Sequence, residues 1–232
     1  RDSVMDFRNR LMPNQIGSWG QLQEWLLEDK DDPENTHRHL SHLYALHPGN
    51  GITMRKTPEL HKAAVTSLDS RGDDGSGWTL TWKMALRNKT EDGNHSYKLL
   101  KQYIEESLYQ NLFAVYTNLF RIGSNFGTTA AIAEMLLQSH TGVVRIFPAV
   151  PKDWAEVSFS QLRAQGAFLI SADRREEKTV SVKIQSEKGG ILRLKNPLGD
   201  RISGLEGLTH QIENGILTIQ TKPGQTIELE RK

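Results

Sequence analysis

The spacing of apolar residues changes character near residue 150, and this change constrains the fold more than any other feature of the chain. Before it, apolar residues recur every three or four positions, which lines one face of an α-helix. After it come short alternating runs separated by glycine turns, the pattern of half-buried strands. A chain patterned this way builds helices first and an antiparallel β unit second.

The spacing predicts six helical segments. Residues 21–31 place Leu22, Trp25 and Leu26 on one face, and residues 39–46 carry Leu40, Leu43, Tyr44 and Leu46 before Pro48-Gly49 ends them. Thr57-Pro58-Glu59 reads as an N-cap, an N1 proline and an acidic first turn, opening a helix that runs to Ser70. Residues 78–88, 94–108 and 128–139 complete the set, with Phe120 to Gly127 as a loop leading into the last. Strands are expected at 143–147, 167–170, 179–184, 191–194, 215–219 and 226–229. Gly189-Gly190 is a turn, and Pro223-Gly224 is read as a hairpin turn joining the last two strands. No repeat of fixed period is visible.

Composition narrows the function classes. The 232 residues are 37% hydrophobic and 25% charged, enough for a packed core in one large domain or two small ones. A net charge of +1, from 29 basic and 28 acidic residues, gives no electrostatic reason to expect nucleic acid or an anionic membrane as partner. With no cysteine, a disulfide framework, a zinc ribbon and a thiol nucleophile are excluded. No run of about 18 apolar residues occurs, so no membrane-spanning helix is expected. Arg1 to Asp6 has no apolar core of a signal peptide and no initiator methionine, so the chain reads as a portion of a longer or processed protein.

Four polar clusters lie in the connections between helices, where catalytic groups concentrate. In Gly20-Gln-Leu-Gln-Glu24-Trp25 a carboxylate precedes an indole. An apolar wall raises a carboxyl pKa, as a glycosidase acid requires, so Glu24 is either a general acid or a solvated residue on a helix start. His37-Arg38-His39-Leu-Ser-His42 holds three histidines in six residues. Their spacing is unlike the i, i+4 pair of a helical zinc site, which favours hydrogen bonding to sugar hydroxyls or a structural role over a metal. In Arg71-Gly-Asp-Asp-Gly-Ser-Gly-Trp78 the glycines permit a tight turn, and Trp78 and Trp82 lie one helical turn apart, as core residues or as a sugar-stacking surface. The fourth, Phe120-Arg-Ile-Gly123-Ser-Asn125-Phe-Gly127, is by itself a loop and a helix entry.

Taken in order, these segments resemble glycoside hydrolase family 95, joined by Glu134-Met-Leu-Leu-Gln-Ser-His140 and the Phe147-Pro148-Ala149 to Trp154 turn. The resemblance implies an α+β multidomain fold. Residues 1–142 would form the C-terminal half of an (α/α)6 catalytic barrel, and residues 143–232 an antiparallel, β-sandwich-like domain. It implies inverting hydrolysis of terminal, typically 1,2-linked, α-L-fucosides or α-L-galactosides, with no metal or organic cofactor. Glu24 falls at the general acid. Arg38 and His39 match residues that contact the sugar, and Trp78 and Asn125 stand with them as candidate contacts. Family members are secreted or periplasmic.

Two departures from the family pattern bear on activity. The family's base is an asparagine upstream, in a part of the barrel absent from this chain. It is made basic by an aspartate whose position is held here by Gly123. Loss of a general base lowers rates about 10²–10⁴-fold. The alternatives are therefore a non-catalytic sugar-binding or structural protein, or a related enzyme whose base is another acid, with Asp73, Asp74 and Glu134 as candidates by type. About half a barrel would also leave apolar helix faces in water, so association with the missing N-terminal half or another chain is expected.

Overall fold

The helix predicted after Thr57 is present in the computed structural model, which describes residues 2–27 and 30–232. The chain divides into two compact units, Arg1–Gly75 and Ser76–Lys232. In the first, α1 (Asp2–Asn9), not expected from the sequence, buries none of its residues. In α2 (Pro58–Ser70), His61, Ala63, Ala64, Ser67 and Leu68 form the buried face. Pro58 opens α2 as predicted, but Thr57 does not cap it through its side chain. Its hydroxyl accepts from Thr53 N at 2.9 Å and donates to Thr53 O at 3.2 Å, closing the preceding turn instead.

Of the helix expected over residues 21–31, none is formed at residues 21–27. Residues 21–27 are irregular, and Glu28 and Asp29 lie outside the described residues. The backbone groups that a helix would pair with itself are taken elsewhere. Leu22 N donates to Ala63 O at 3.0 Å and to Ser67 Oγ at 2.9 Å, and the Ser67 hydroxyl returns a bond to Leu22 O at 3.1 Å. The Asp31 carboxylate accepts from the amides of Glu24 and Trp25 at 3.2–3.3 Å. Leu22 is buried, whereas Trp25 and Leu26, predicted on the same face, are exposed. The segment predicted at 39–46 shortens to one 3₁₀ turn, Ser41–Ala45, which still buries Leu40, Leu43 and Leu46.

In the second unit α3 (Trp78–Lys89) and α4 (Gly93–Glu106) fall where predicted, and the Asp92 side chain caps α4 by accepting from His95 N at 3.1 Å. A two-stranded ribbon of β1 (Val115–Tyr116) and β2 (Leu119–Phe120) leads into α5 (Ile122–Leu136). That helix starts six residues before the sequence places it, so most of the expected loop Phe120 to Gly127 is helical. Gly123 and Gly127, poor helix formers, hid its first turns. Leu80, Met84, Leu99, Leu100, Tyr103 and Ala131 pack the three helices together.

After α5, β3 (Leu137–Gln138) pairs with β4 (Arg145–Ile146). Then follow β5 (Val157–Ala164), β6 (Phe168–Arg175), β7 (Lys178–Ser186), β8 (Gly190–Lys195), β9 (Ile202–Ser203), β10 (His210–Glu213), β11 (Ile216–Thr221) and β12 (Gln225–Arg231). The antiparallel strands form a five-stranded sheet, β5-β6-β7-β12-β9, and a three-stranded sheet, β10-β11-β8. Ile170, Val182, Ile184 and Leu229 of the first share one apolar core with Leu192, Leu194, Leu217 and Ile219 of the second.

Pro223-Gly224 is not a hairpin turn: β11 and β12 belong to different sheets, and the turn carries the chain from one to the other. Gly189-Gly190 makes the opposite crossing between β7 and β8. The two crossings are tied by the Ser186 and Thr221 hydroxyls, 2.8 Å apart. Strand β5 escaped sequence reading because its alternation breaks between Phe159 and Leu162, where Gln161 has a positive φ of 55°. Among the described residues no helix is long and apolar enough to cross a membrane.

Candidate active site

Glu24 owes its position to the same backbone ties that leave residues 21–27 irregular. The bonds from Leu22 to α2 lay residues 21–24 across that helix, and Arg71, the residue at its C-terminus, points back at them. A cation is favoured at a helix C-terminus. Arg71 Nη2 donates to Glu24 Oε2. Arg71 Nη1 donates to His39 O at 2.7 Å and His37 O at 3.1 Å. The guanidinium side chain is 6% exposed and the Glu24 side chain 21%. On the other carboxylate oxygen, His42 Nδ1 stands 3.7 Å from Glu24 Oε1.

These groups line a small crevice with Trp19, Gln21, Asp31 and Asp32. Gln21 Nε2 donates to Asp31 Oδ2 at 3.0 Å, which fixes the amide with Oε1 turned away. Gln21 Oε1 and the indole Nε1 of Trp19 are buried and make no hydrogen bond within the protein. A buried donor and acceptor in this state are strong points of attraction for a hydroxyl group, which can satisfy both kinds. Burial pushes the His42 pKa down and Arg71 adds to the depression, against the upward pull of Glu24 and Asp31. His42 is therefore neutral at neutral pH, and the crevice holds one guanidinium facing several carboxylates.

The side chains of Arg38 and His39 are exposed, on the loop whose carbonyls Arg71 holds. His39 N donates to His37 Nδ1 at 3.3 Å, and the two rings lie 5.4 Å apart. No group of three or more His, Asp or Glu side chains with metal-ligand geometry occurs among the described residues.

In the second unit, Trp78 opens α3 with 44% of its surface exposed, so it is not a core residue. Its ring is 5.5 Å from that of Trp82. Gly123 is the second residue of α5 and presents no side chain. Both ends of the Asn125 amide engage the backbone: Oδ1 accepts from Ala114 N at 2.9 Å, and Nδ2 donates to Leu112 O at 2.8 Å. Of the acids named as alternative bases, Glu134 is committed to Lys89, whose Nζ donates to it at 2.7 Å.

Sequence reasoning picked out Glu24 but not the roles of Arg71, His42 and Asp31. Arg71 and His42 each stand inside a motif already singled out. Their pairing with Glu24 spans 47 and 18 positions, which no local pattern reveals.

Along the chain a mostly helical part, with a carboxylate held by a guanidinium on an irregular stretch, precedes an antiparallel β unit. Residues 1–136 match the glycosyl hydrolase family 95 catalytic domain, and residues 138–229 match the C-terminal domain of the same family. The chain belongs to glycoside hydrolase family 95. It is similar to alpha-L-fucosidase 2 of Arabidopsis thaliana, with 39% identity over 197 residues, 80% of this chain and 23% of that protein. It also resembles the probable alpha-fucosidase A of Aspergillus niger, at 35% identity over 67% of this chain and 22% of the relative. The corresponding protein of Aspergillus oryzae is 30% identical over 65% of this chain and 24% of its own length. The chain thus spans less than a quarter of the length of the curated relatives it matches.

Proposed function

We propose that this chain is the C-terminal part of an inverting exo-α-L-fucosidase that acts on terminal 1,2-linked α-L-fucosides or the related α-L-galactosides. The observation that carries this reading is the match of residues 1–136 to the family 95 catalytic domain; within them the resemblance gives the general acid to Glu24, a part-buried carboxyl group beside Arg71 and His42. In an inverting hydrolysis one carboxylic acid protonates the leaving oxygen while a base on the opposite face of the sugar activates water. Glu24 takes the first role. Arg38, His39 and Trp78 are the sugar-contact candidates, with exposed guanidinium, imidazole and indole groups suited to hydroxyls and a sugar face, whereas the Asn125 amide, expected with them, is engaged by backbone at both ends. In the family the base is an asparagine in a motif that is not among the residues of this chain.

Residues 1–142 are assigned to the C-terminal half of an (α/α)6 barrel and residues 143–232 to a sandwich-like domain. Support comes from the helices of the first part and from the single apolar core shared by two antiparallel sheets in the second. The remainder of the catalytic domain is the expected protein partner. Phe7, Leu11, Leu112, Phe113 and Phe126 are all exposed, as faces awaiting such a partner would be.

One observation favours a second reading. Gly123 offers no proton acceptor where the resemblance expects the aspartate that activates the base. Water activation is impaired on that ground, and the extreme case is a sugar-binding protein without turnover. The discriminating experiment measures free L-fucose released from a 1,2-fucosylated oligosaccharide by the chain and its Gly123→Asp variant, each with and without the N-terminal part of a family 95 catalytic domain. Turnover confined to the complemented aspartate variant marks an impaired hydrolase. Efficient turnover by the unmodified sequence assigns the base to another residue. L-Fucose binding with no turnover in any mixture establishes the sugar-binding reading.

A further inference from the structure

We infer that the β unit serves as the folding base of helices α3–α5: residues 76–232 open and close as one cooperative body, although the two family domains meet inside it, between residues 136 and 138. The segment from Leu137 to Trp154 joins the two parts.

The junction begins where α5 ends. A helix leaves its last four carbonyls without partners inside the helix. In α5 these belong to Ala133, Glu134, Met135 and Leu136, and residues beyond the helix take all four. Leu137 N donates to Ala133 O, and Gln138 Nε2 donates to Glu134 O at 3.0 Å. Ala149 N donates to Met135 O at 3.2 Å, and Phe147 N to Leu136 O at 2.7 Å. No linker intervenes, since α5 ends at Leu136 and β3 begins at Leu137. Leu137 and Gln138 are both buried. A boundary between independent domains falls instead in an exposed segment that few contacts cross.

Helices α3 and α4 meet the same segment. Gln138 Nε2 also donates to Asn88 O at 2.9 Å, and Asn88 Nδ2 donates to Ala131 O at 2.8 Å. The Lys89 side chain is 4% exposed; its Nζ donates to Glu134 Oε1 at 2.7 Å and stands 3.3 Å from His140 Nδ1. At the start of α4 backbone meets backbone, because a β-carbon on Gly93 would overlap the carbonyl oxygens of Ala149 and Val150. Next to it, Asn94 Oδ1 accepts from Lys152 N at 2.9 Å, and the rings of Tyr97 and Trp154 meet edge to face at 5.4 Å. The motifs Glu134 to His140 and Phe147 to Trp154, which have no part in the candidate active site, find their use here.

The segment is equally part of the β unit. Leu137, Val144 and Ile146 lie in the apolar core common to both sheets. Val144 N donates to Arg193 O and Val144 O accepts from Lys195 N, both at 2.8 Å, which ties it to β8. Gln165 N donates to Ser139 Oγ at 3.0 Å. Opening the sheets therefore withdraws the partners of the α5 carbonyls and the surface on which α4 rests.

Native-state hydrogen exchange on the 232-residue chain tests this, under conditions where exchange reports the opening equilibrium. Leu194→Ala, in the β core, should speed exchange of the most protected amides of α3–α5 by the same factor as those of β6 and β7, on the order of 10²-fold. Gly93→Ala should act from the helical side and again speed both sets equally. Gly93 has no positive φ and alanine is the better helix former, so helix propensity alone would slow exchange in α4. A Leu194→Ala response confined to the strands, or a Gly93→Ala response that is confined to the helices or protective, overturns the inference. Should Gly93→Ala fail to fold, Leu194→Ala alone decides between these outcomes.

Discussion

The Trp78 indole lies against the backbone of Gly123, its Cε3 atom 3.9 Å from the point a β-carbon on that glycine would occupy. Nothing else stands within 4 Å of that point, and Gly123 has no positive φ, so a β-carbon fits there without displacing a neighbour. As the second residue of α5 it also sits at the positive end of the helix, where a carboxylate is favoured. Gly123→Asp is expected to stabilise the protein by about 1 kcal/mol, from the lost glycine entropy and the helix dipole together. Thermal unfolding checks this as a rise of about 2–4 °C in Tm. Four residues on, Gly127→Ala has the opposite outcome. Its β-carbon would stand 2.5 Å from Thr81 Cγ2 and 2.9 Å from Trp78 Cζ3. The overpacking costs about 1–3 kcal/mol.

Burial sets the behaviour of His42 with pH. Its pKa is lowered by desolvation first, with Arg71 adding to the depression and Glu24 and Asp31 opposing it. The unfolded chain, titrating near 6.5, binds this proton more readily than the folded one. Stability linked to His42 is therefore fully present above pH 6.5 and is lost as pH falls from there toward the lower, folded-state value. The slope reaches at most about 1.4 kcal/mol per pH unit for one proton. Urea unfolding from pH 8 to 5 should show a loss of stability that is shallower in His42→Gln. Parallel curves for the two proteins would refute it.

What the sequence discloses about this fold, and what it hides, follows from where each signal resides. The helices at α2 and α3 were readable because proline at N1 and repeated apolar spacing act over a few residues. The irregular path at 21–27 was not, because its amides are claimed by Ala63, Ser67 and Asp31, partners that apolar periodicity does not register. The same limit applies to the site. Glu24 announces itself beside Trp25, whereas Arg71 and His42 acquire meaning only when the chain folds back on α2. In the β unit, alternation marked five of the long strands but could not say which of them pair. The crossings at Gly189-Gly190 and Pro223-Gly224 therefore read as ordinary turns.

Alternation along β8 makes a paired prediction. Leu192 and Leu194 are buried in the core common to both sheets, while Ile191, between them and the preceding turn, is 63% exposed. Leu194→Ala should cost about 2–5 kcal/mol, the range for deleting a buried leucine side chain. Ile191→Ala should stay within about 0.5 kcal/mol of the unmodified protein, as surface substitutions do. Similar losses at both positions, by denaturant titration, would mean that the three-stranded sheet does not pack with the face assigned here.

Asn125 separates a structural from a ligand-binding role by stability alone. It is the fourth residue of α5, and its amide bridges Ala114 N and Leu112 O, pinning the segment before the β1–β2 ribbon to the helix. Ala114 is fully buried, so Asn125→Ala strands a buried N–H and should cost about 1–3 kcal/mol. Asn125→Asp keeps the acceptor for that N–H and adds a negative charge in the first turn of the helix, which offsets the lost donor to Leu112 O. The expected order of stability is therefore Asn125, then Asp, then Ala, measured in urea without any sugar present. A residue serving only as a sugar contact would give three proteins of equal stability and a loss of L-fucose affinity in both variants. The geometry argues for the ordered series, because an amide that already bonds backbone at both ends cannot turn toward a ligand without releasing Ala114.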